Sequence, residues 1–237
     1  MNDKLNQKNN RRDFIRMGVK AGIVSGIAGF GILSGCNKED ENEGQKVSPP
    51  EDLMQEHGLL NRVLLIYDQC RLNLFNKTPF DKKSLLDSAG IIRNFVEDYH
   101  EKQEENYLFP RFEKANQLTD LVKILREQHK AGRTITDGIL QLAKTNTFLD
   151  VDTANMTGLL ERFNRMYRPH ESREDTVLFP AFRKIVSSHE YDALSEEFEK
   201  NEHKLFGENG FEAMIEKVVI IEKSLGIYEL AQFTPKF

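Results

Sequence analysis

Two stretches of the sequence place a glutamate four residues after a histidine and then close on the same three letters. HEKQEENYLFP runs from His100 to Pro110, and HESREDTVLFP from His170 to Pro180. On a helix, positions i and i+4 lie one turn apart and about 40° round the axis, so each His–Glu pair can aim at one point. An imidazole nitrogen and a carboxylate oxygen converging in this way make half of a metal site.

Two more histidines complete a set. His57 in QEHGLLNR (55–62) and His129 in EQHKAGR (127–133) each stand alone, with Arg62 and Arg133 following. Steps of three and four residues place all four histidines on apolar stripes. These stripes are Leu53–His57–Leu60–Leu64, then Ile92–Val96–His100–Glu104–Tyr107, then Val122–Leu125–His129–Thr136–Ile139, and Leu159–Phe163–Tyr167–His170–Glu174–Val177. A single inward histidine is explained as well by a core imidazole bonded to a carbonyl or hydroxyl. Four of them with two glutamates must satisfy one another, since an unpaired buried polar group costs about 2–7 kcal/mol. A metal removes that cost, because it takes neutral imidazole and ionised carboxylate.

His57, His100, Glu104, His129, His170 and Glu174 are therefore the expected ligands. Both glutamates would bridge two ions, and coordination positions would stay open. Nitrogen and oxygen donors without thiolate suit iron or manganese, leave zinc as an alternative, and are a poor match for calcium or magnesium. No nucleophile triad, glycine-rich phosphate loop or cysteine-based metal motif competes with this set. A metal-free or zinc-binding helical bundle acting as an interaction module is the alternative function.

The elements that must hold these residues are helices. Segments over 50–75, 81–115, 119–145 and 152–186 are separated by breaks at Asn76–Pro79, Asn116–Thr119 and Asn146–Asp150. Such short connections predict an all-α fold, an up-down-up-down four-helix bundle. Two shorter helices are expected beyond it, over about 190–206 and 210–224. Ser48-Pro49-Pro50-Glu51 and Ser187-Ser188-His189-Glu190 offer capping boxes for the first and fifth helices. An internal repeat supports the bundle: residues 94–114 and 164–184 align without a gap, with nine of twenty-one positions identical. Pro110 and Pro180 predict a kink beyond each His–Glu pair. Pro169 stands where the first copy has Tyr99, and predicts that the fourth helix bends at its ligand while the second does not.

Around the six ligands, Tyr107 is one turn beyond Glu104, placed either to hydrogen-bond a ligand of the metal or to pack in the core. Asp175 and His203 are candidates for supporting contacts, although a surface position suits His203 better, as it does His189. Arg62 and Arg133 are expected in ion pairs. Cys70 falls about 220° round the helix from His57, and so packs between helices.

The chain has 237 residues, 39% hydrophobic and 30% charged, with a net charge of −5. Residues 1–35 carry six basic and two acidic groups, so the remainder carries −9, which argues against nucleic acid as a partner. The first 36 residues read as an address: a basic region, then Ala21–Gly35 without a charge, then Cys36. That run falls short of the roughly 20 apolar residues of a membrane span. Arg11-Arg12-Asp13-Phe14-Ile15 resembles the twin-arginine export signal, and Leu33-Ser34-Gly35-Cys36 resembles a bacterial lipobox. This implies export of an already folded protein, lipidated on Cys36 and held at the cell envelope by that anchor alone. Lys38-Glu39-Asp40 is similar to the acidic surface-export signal of Bacteroidetes lipoproteins, though a solvated charge run explains it as well. The expected organisation is a signal over 1–36, a tether over 37–49, the bundle over 50–188 and a C-terminal helical extension over 189–237. With Cys36 lipidated, Cys70 has no disulfide partner within the chain.

The two His–Glu–LFP stretches, with His57 and His129, resemble the hemerythrin-like (HHE cation-binding) domains over about residues 50–205. The resemblance implies a non-haem di-iron centre held by the six residues above, with manganese or zinc as lesser alternatives. It implies a small ligand (oxygen, nitric oxide or peroxide), a redox partner that the sequence does not name, and either binding or oxidoreductase chemistry. Oxygen-carrying hemerythrins have a second histidine four residues after the third-helix histidine, where this chain has Arg133. They also use an aspartate five residues after the last histidine, and here Asp175 stands beside Glu174.

Overall fold

The computed structural model describes residues 47–145 and 149–237. Arg11, Arg12, Cys36 and the acidic run at 38–40 lie outside the described residues. Among the described residues the chain is all-helical, without a strand. Its helices are α1 (Pro49–Phe75), α2 (residues 83–115), α3 (Thr119–Ala143), α4 (residues 150–182), α5 (Ser188–Phe206) and α6 (Gly210–Ser224), followed by a 3-10 turn at Leu230–Phe233. No helix among them is long and apolar enough to cross a membrane.

Local chemistry explains several helix ends. At the start of α1 the Ser48 hydroxyl accepts from the Glu51 N–H, while the Glu51 carboxylate accepts from the Ser48 N–H at 3.0 Å. Pro49 and Pro50 occupy the first turn, where a missing N–H costs nothing. The box expected at α5 is half made. The Ser187 hydroxyl accepts from the Glu190 N–H, but the Glu190 carboxylate takes the Arg111 guanidinium at 2.8 Å instead of turning back. Asn116 ends α2 in the left-handed region at φ 51°, a conformation its short side chain tolerates.

Packing divides the interior into two apolar clusters. One holds Leu59–Cys70 positions of α1, Leu85–Tyr99 positions of α2, Ile139 and Ala143 of α3, and Met156–Tyr167 positions of α4. The other holds Leu53, Leu108, Phe109 and Phe112, Val122 and Leu125, then Leu178, Phe179 and Phe182. On each of the four long helices the predicted ligands fall between the stretch that enters one cluster and the stretch that enters the other. α1 lies against α2 and α4, and α3 lies against the same two. α5 adds Leu194 and Phe198 to the second cluster, while α6 adds Phe211, Met214, Val218 and Ile221 to the first. A bidentate pair from Arg62 to Glu222 fastens α6 to α1.

The helices that carry the His–Glu pairs are not uniform. α2 changes to a π-helical pattern over Ile92–His100 and again over Glu104–Leu108, and α4 does so over Glu174–Leu178. In both copies the wide turn starts at the glutamate: the Phe109 N–H donates to the Glu104 carbonyl, and the Phe179 N–H to that of Glu174. Each proline of LFP then enters the next α-helical turn, where no partner for its nitrogen is needed. Pro169 does not interrupt the helical pattern around it. Asp150–Arg173 is one α-helix straight through Pro169, whereas α2 departs from α geometry ahead of His100. Both Pro169 and Arg165, whose carbonyl loses its donor, are exposed, so water can satisfy that carbonyl.

Candidate metal centre

The six predicted residues meet in one buried layer. His57, His100, His129 and His170 are each at most 3% exposed, and Glu104 and Glu174 are fully buried. All four histidines turn Nε2 inward. Glu174 Oε2 lies 3.4 Å from His57 Nε2 and 3.2 Å from His170 Nε2. Glu104 Oε2 lies 3.4 Å from His129 Nε2 and 3.8 Å from His100 Nε2. The imidazoles form two pairs, His57 with His100 at 4.8 Å between ring centres and His129 with His170 at 5.0 Å. Each glutamate therefore faces one histidine from each pair. His57, His100 and Glu104 form one group with metal-binding spacing, and Glu104, His129, His170 and Glu174 form another.

Every outer nitrogen has an acceptor. His57 Nδ1 is 2.7 Å from Asp175, His100 Nδ1 is 2.7 Å from Glu56, His129 Nδ1 is 3.1 Å from Glu105 and His170 Nδ1 is 2.8 Å from the amide oxygen of Gln128. An acceptor on Nδ1 puts the proton there and leaves the inward Nε2 lone pair for a ligand. The two phenylalanines of the LFP letters hold the rings flat: Phe179 stacks on His57 and Phe109 on His129, both at 5.5 Å.

The glutamates between the histidines are in an unusual state. None of the four carboxylate oxygens of Glu104 and Glu174 has a hydrogen-bond partner among the described residues. The imidazole nitrogens 3.2–3.8 Å away face them as neighbours round a common centre, without bonding geometry. Protons compensate unevenly. Burial alone would push His57 down, but Asp175 and Glu174 hold it up at about 10. Burial and the facing Glu174 push Glu104 well above the carboxylate range. Burial also works to raise Glu174, yet His170 and His57 hold it well below. Burial takes His100 and His129 down, the latter to about 4. A cation at the centre would satisfy all of these groups together.

The family model for the hemerythrin HHE cation-binding domain matches residues 48–182, which span α1 to α4 and all six residues. The chain belongs to the hemerythrin HHE family. Uncharacterized proteins of Mycobacterium tuberculosis and Mycobacterium bovis are each 43% identical to it over 227 residues, covering 90% of this chain and 88% of their own length. No solved structure matches. Cation binding is the family's description, and the buried His/Glu groups are of the kind that could hold a metal ion.

Residues around the layer depart from several expectations. Tyr107 does not face the centre. Its hydroxyl lies 3.4 Å from Glu197 and 3.3 Å from Asn201 of α5, and its ring packs edge-on against Phe198. The wide turn at Glu104–Leu108 breaks the three-and-four spacing that had placed Tyr107 on the inward stripe. His203 belongs to none of the His/Glu groups. Asp175 does make a supporting contact, through His57. Arg133 lies 2.6 Å from Glu101 and 2.8 Å from Glu105, so a guanidinium already fills the acidic group beside His129. Arg62 pairs with Glu222, away from the layer.

Sequence reasoning missed Glu56, Glu105 and Gln128. A signal was present, because Glu56 and Gln128 each precede a lone histidine, and Glu105 and Asp175 each follow a paired glutamate. The two halves of the repeat thus supply the supporting acceptors in the same order as the ligands.

Proposed function

We propose that His57, His100, Glu104, His129, His170 and Glu174 bind two iron ions, with Glu104 and Glu174 between them. Four fully buried carboxylate oxygens without a hydrogen-bond partner among the described residues, facing four inward imidazole nitrogens, carry this assignment. Left uncompensated they would cost several kcal/mol each. Donors of nitrogen and oxygen alone favour iron or manganese over softer ions, with zinc as the competitor. A pair of redox metals held there would supply a place for a small ligand and storage for two electrons. The protein's own part is to hold Nε2 inward through the Nδ1 acceptors, and to keep water out with the two apolar clusters on either side.

The four-helix up-down-up-down arrangement is supported by the order in which each helix crosses the clusters. α1 and α3 pass from the Leu53/Val122 cluster to the other, and α2 and α4 pass back. The ligand we propose is oxygen, nitric oxide or peroxide, handled by binding or by reduction. Addition of oxygen to the reduced, iron-loaded protein separates the two. A persistent oxygen adduct supports binding, and rapid oxidation with turnover supports an oxidoreductase. Export is proposed through the twin-arginine segment, with lipid on Cys36 as the membrane anchor. Cys36→Ser is expected to move the protein from the membrane to the soluble fraction, and retention on the membrane would refute the anchor.

A further inference from the structure

The two halves of the centre differ in what stands behind their histidines. His57 and His100 are each backed at 2.7 Å by a carboxylate, Asp175 and Glu56. In the other half, His170 is backed by the neutral amide of Gln128. His129 has a carboxylate, Glu105, but at 3.1 Å and on the oxygen that also takes Arg133 at 2.8 Å, while Lys102 holds the other oxygen. The repeat makes the contrast sharp. Gln128 occupies the position that Glu56 holds in the first half, and Glu105 the position that Asp175 holds in the second.

A carboxylate accepting the Nδ1 proton pushes electron density onto the ring and strengthens Nε2 as a donor. A neutral amide oxygen does this far less, since hydrogen bonds to ionised acceptors are roughly twice as strong as neutral ones. A carboxylate already shared between a guanidinium and an ammonium has less charge to lend. Both effects act in the same direction, against the His129/His170 half.

We propose that the centre has inequivalent metal positions, the His57/His100 position binding first and more tightly and the His129/His170 position second, with Gln128 setting the difference. This rests on the two-ion assignment above. The amide has a use in such a scheme: the more weakly held ion is the one that a ligand or partner can most readily change in coordination.

The test is anaerobic titration of the full chain with ferrous iron against a chromophoric chelator. It compares the unsubstituted protein with Gln128→Glu and Glu56→Gln, with thermal unfolding of each as a control for folding. Two steps are expected for the unsubstituted protein. Mutual repulsion of two cations also separates steps, so the variants decide. Gln128→Glu should tighten the second step by about 10-fold or more and leave the first unchanged, a gain that damage to the fold cannot produce. Glu56→Gln should weaken the first step by about 10- to 100-fold. If two ions bind but neither variant moves its own step, the inequivalence is wrong and the two-ion assignment stands. If the unsubstituted protein binds fewer than two ions, the assignment fails and the inequivalence with it.

Discussion

Glu104 and Glu174 are fully buried with no hydrogen-bond partner for any of their carboxylate oxygens among the described residues, a state that a bound ion would relieve. Other single residues make separate predictions. Gly132 faces Tyr167, and a Cβ added there would stand 2.1 Å from the phenol oxygen. Tyr167 cannot easily yield, because it is buried, stacked on Phe163 at 4.3 Å and donates to Glu101 at 2.7 Å. Gly132→Ala should therefore destabilise by about 1–3 kcal/mol in urea unfolding, despite the better helix propensity of alanine. An unchanged midpoint would show that the phenol moves freely. Cys70 gives a pH signature. Burial pushes its thiol from 9.0 to about 12, so the folded protein keeps the proton where the unfolded chain would lose it. The stabilisation is complete below about pH 9 and is lost as pH rises toward about 12, at about 1.4 kcal/mol per unit. Urea unfolding of Cys70→Ala should lose less stability over that range than the unsubstituted protein does, and parallel losses would contradict the account.

Helix by helix, the sequence was legible where the backbone carries its own punctuation. Ser48 with Glu51, Asn116 and the polar break before Asp150 mark ends that the structure keeps within a few residues. The wide turns were not legible. A three-and-four pattern cannot register one extra residue in a turn, and so it placed Tyr107 on the inward stripe, while proline chemistry looked for irregularity at Pro169 rather than at the glutamates. Three of the four acceptors behind the histidines were missed for a different reason. Each comes from a helix other than the one it supports, and a periodicity within one helix carries no information about its neighbours. The C-terminal helices also make a prediction. Glu222 of α6 is only 6% exposed and takes both nitrogens of Arg62 in α1. Because Arg62 is itself partly exposed, Arg62→Ala should cost about 1–2 kcal/mol, below the figure for a fully buried pair. Arg62→Lys should restore only part, since an ammonium cannot match the two-pronged contact. Full recovery with lysine would reduce the pair to simple charge attraction.

At the scale of the whole molecule, two apolar clusters enclose one polar layer, and every long helix crosses that layer once. The repeat accounts for this plan. Each helical hairpin brings a lone histidine, a His–Glu pair and a phenylalanine that stacks on a lone histidine. Together the hairpins place both carboxylates among four imidazoles. An ion at its centre would answer the carboxylate oxygens that lack a hydrogen-bond partner. Metal analysis of the full chain, loaded anaerobically with ferrous iron and freed of loosely held ions, tests this most directly. Two iron ions per chain are expected, with Glu104→Gln and Glu174→Gln each losing iron while helix content stays unchanged. Fewer than two ions per chain in the unsubstituted protein, or full iron content in both variants, would contradict the assignment.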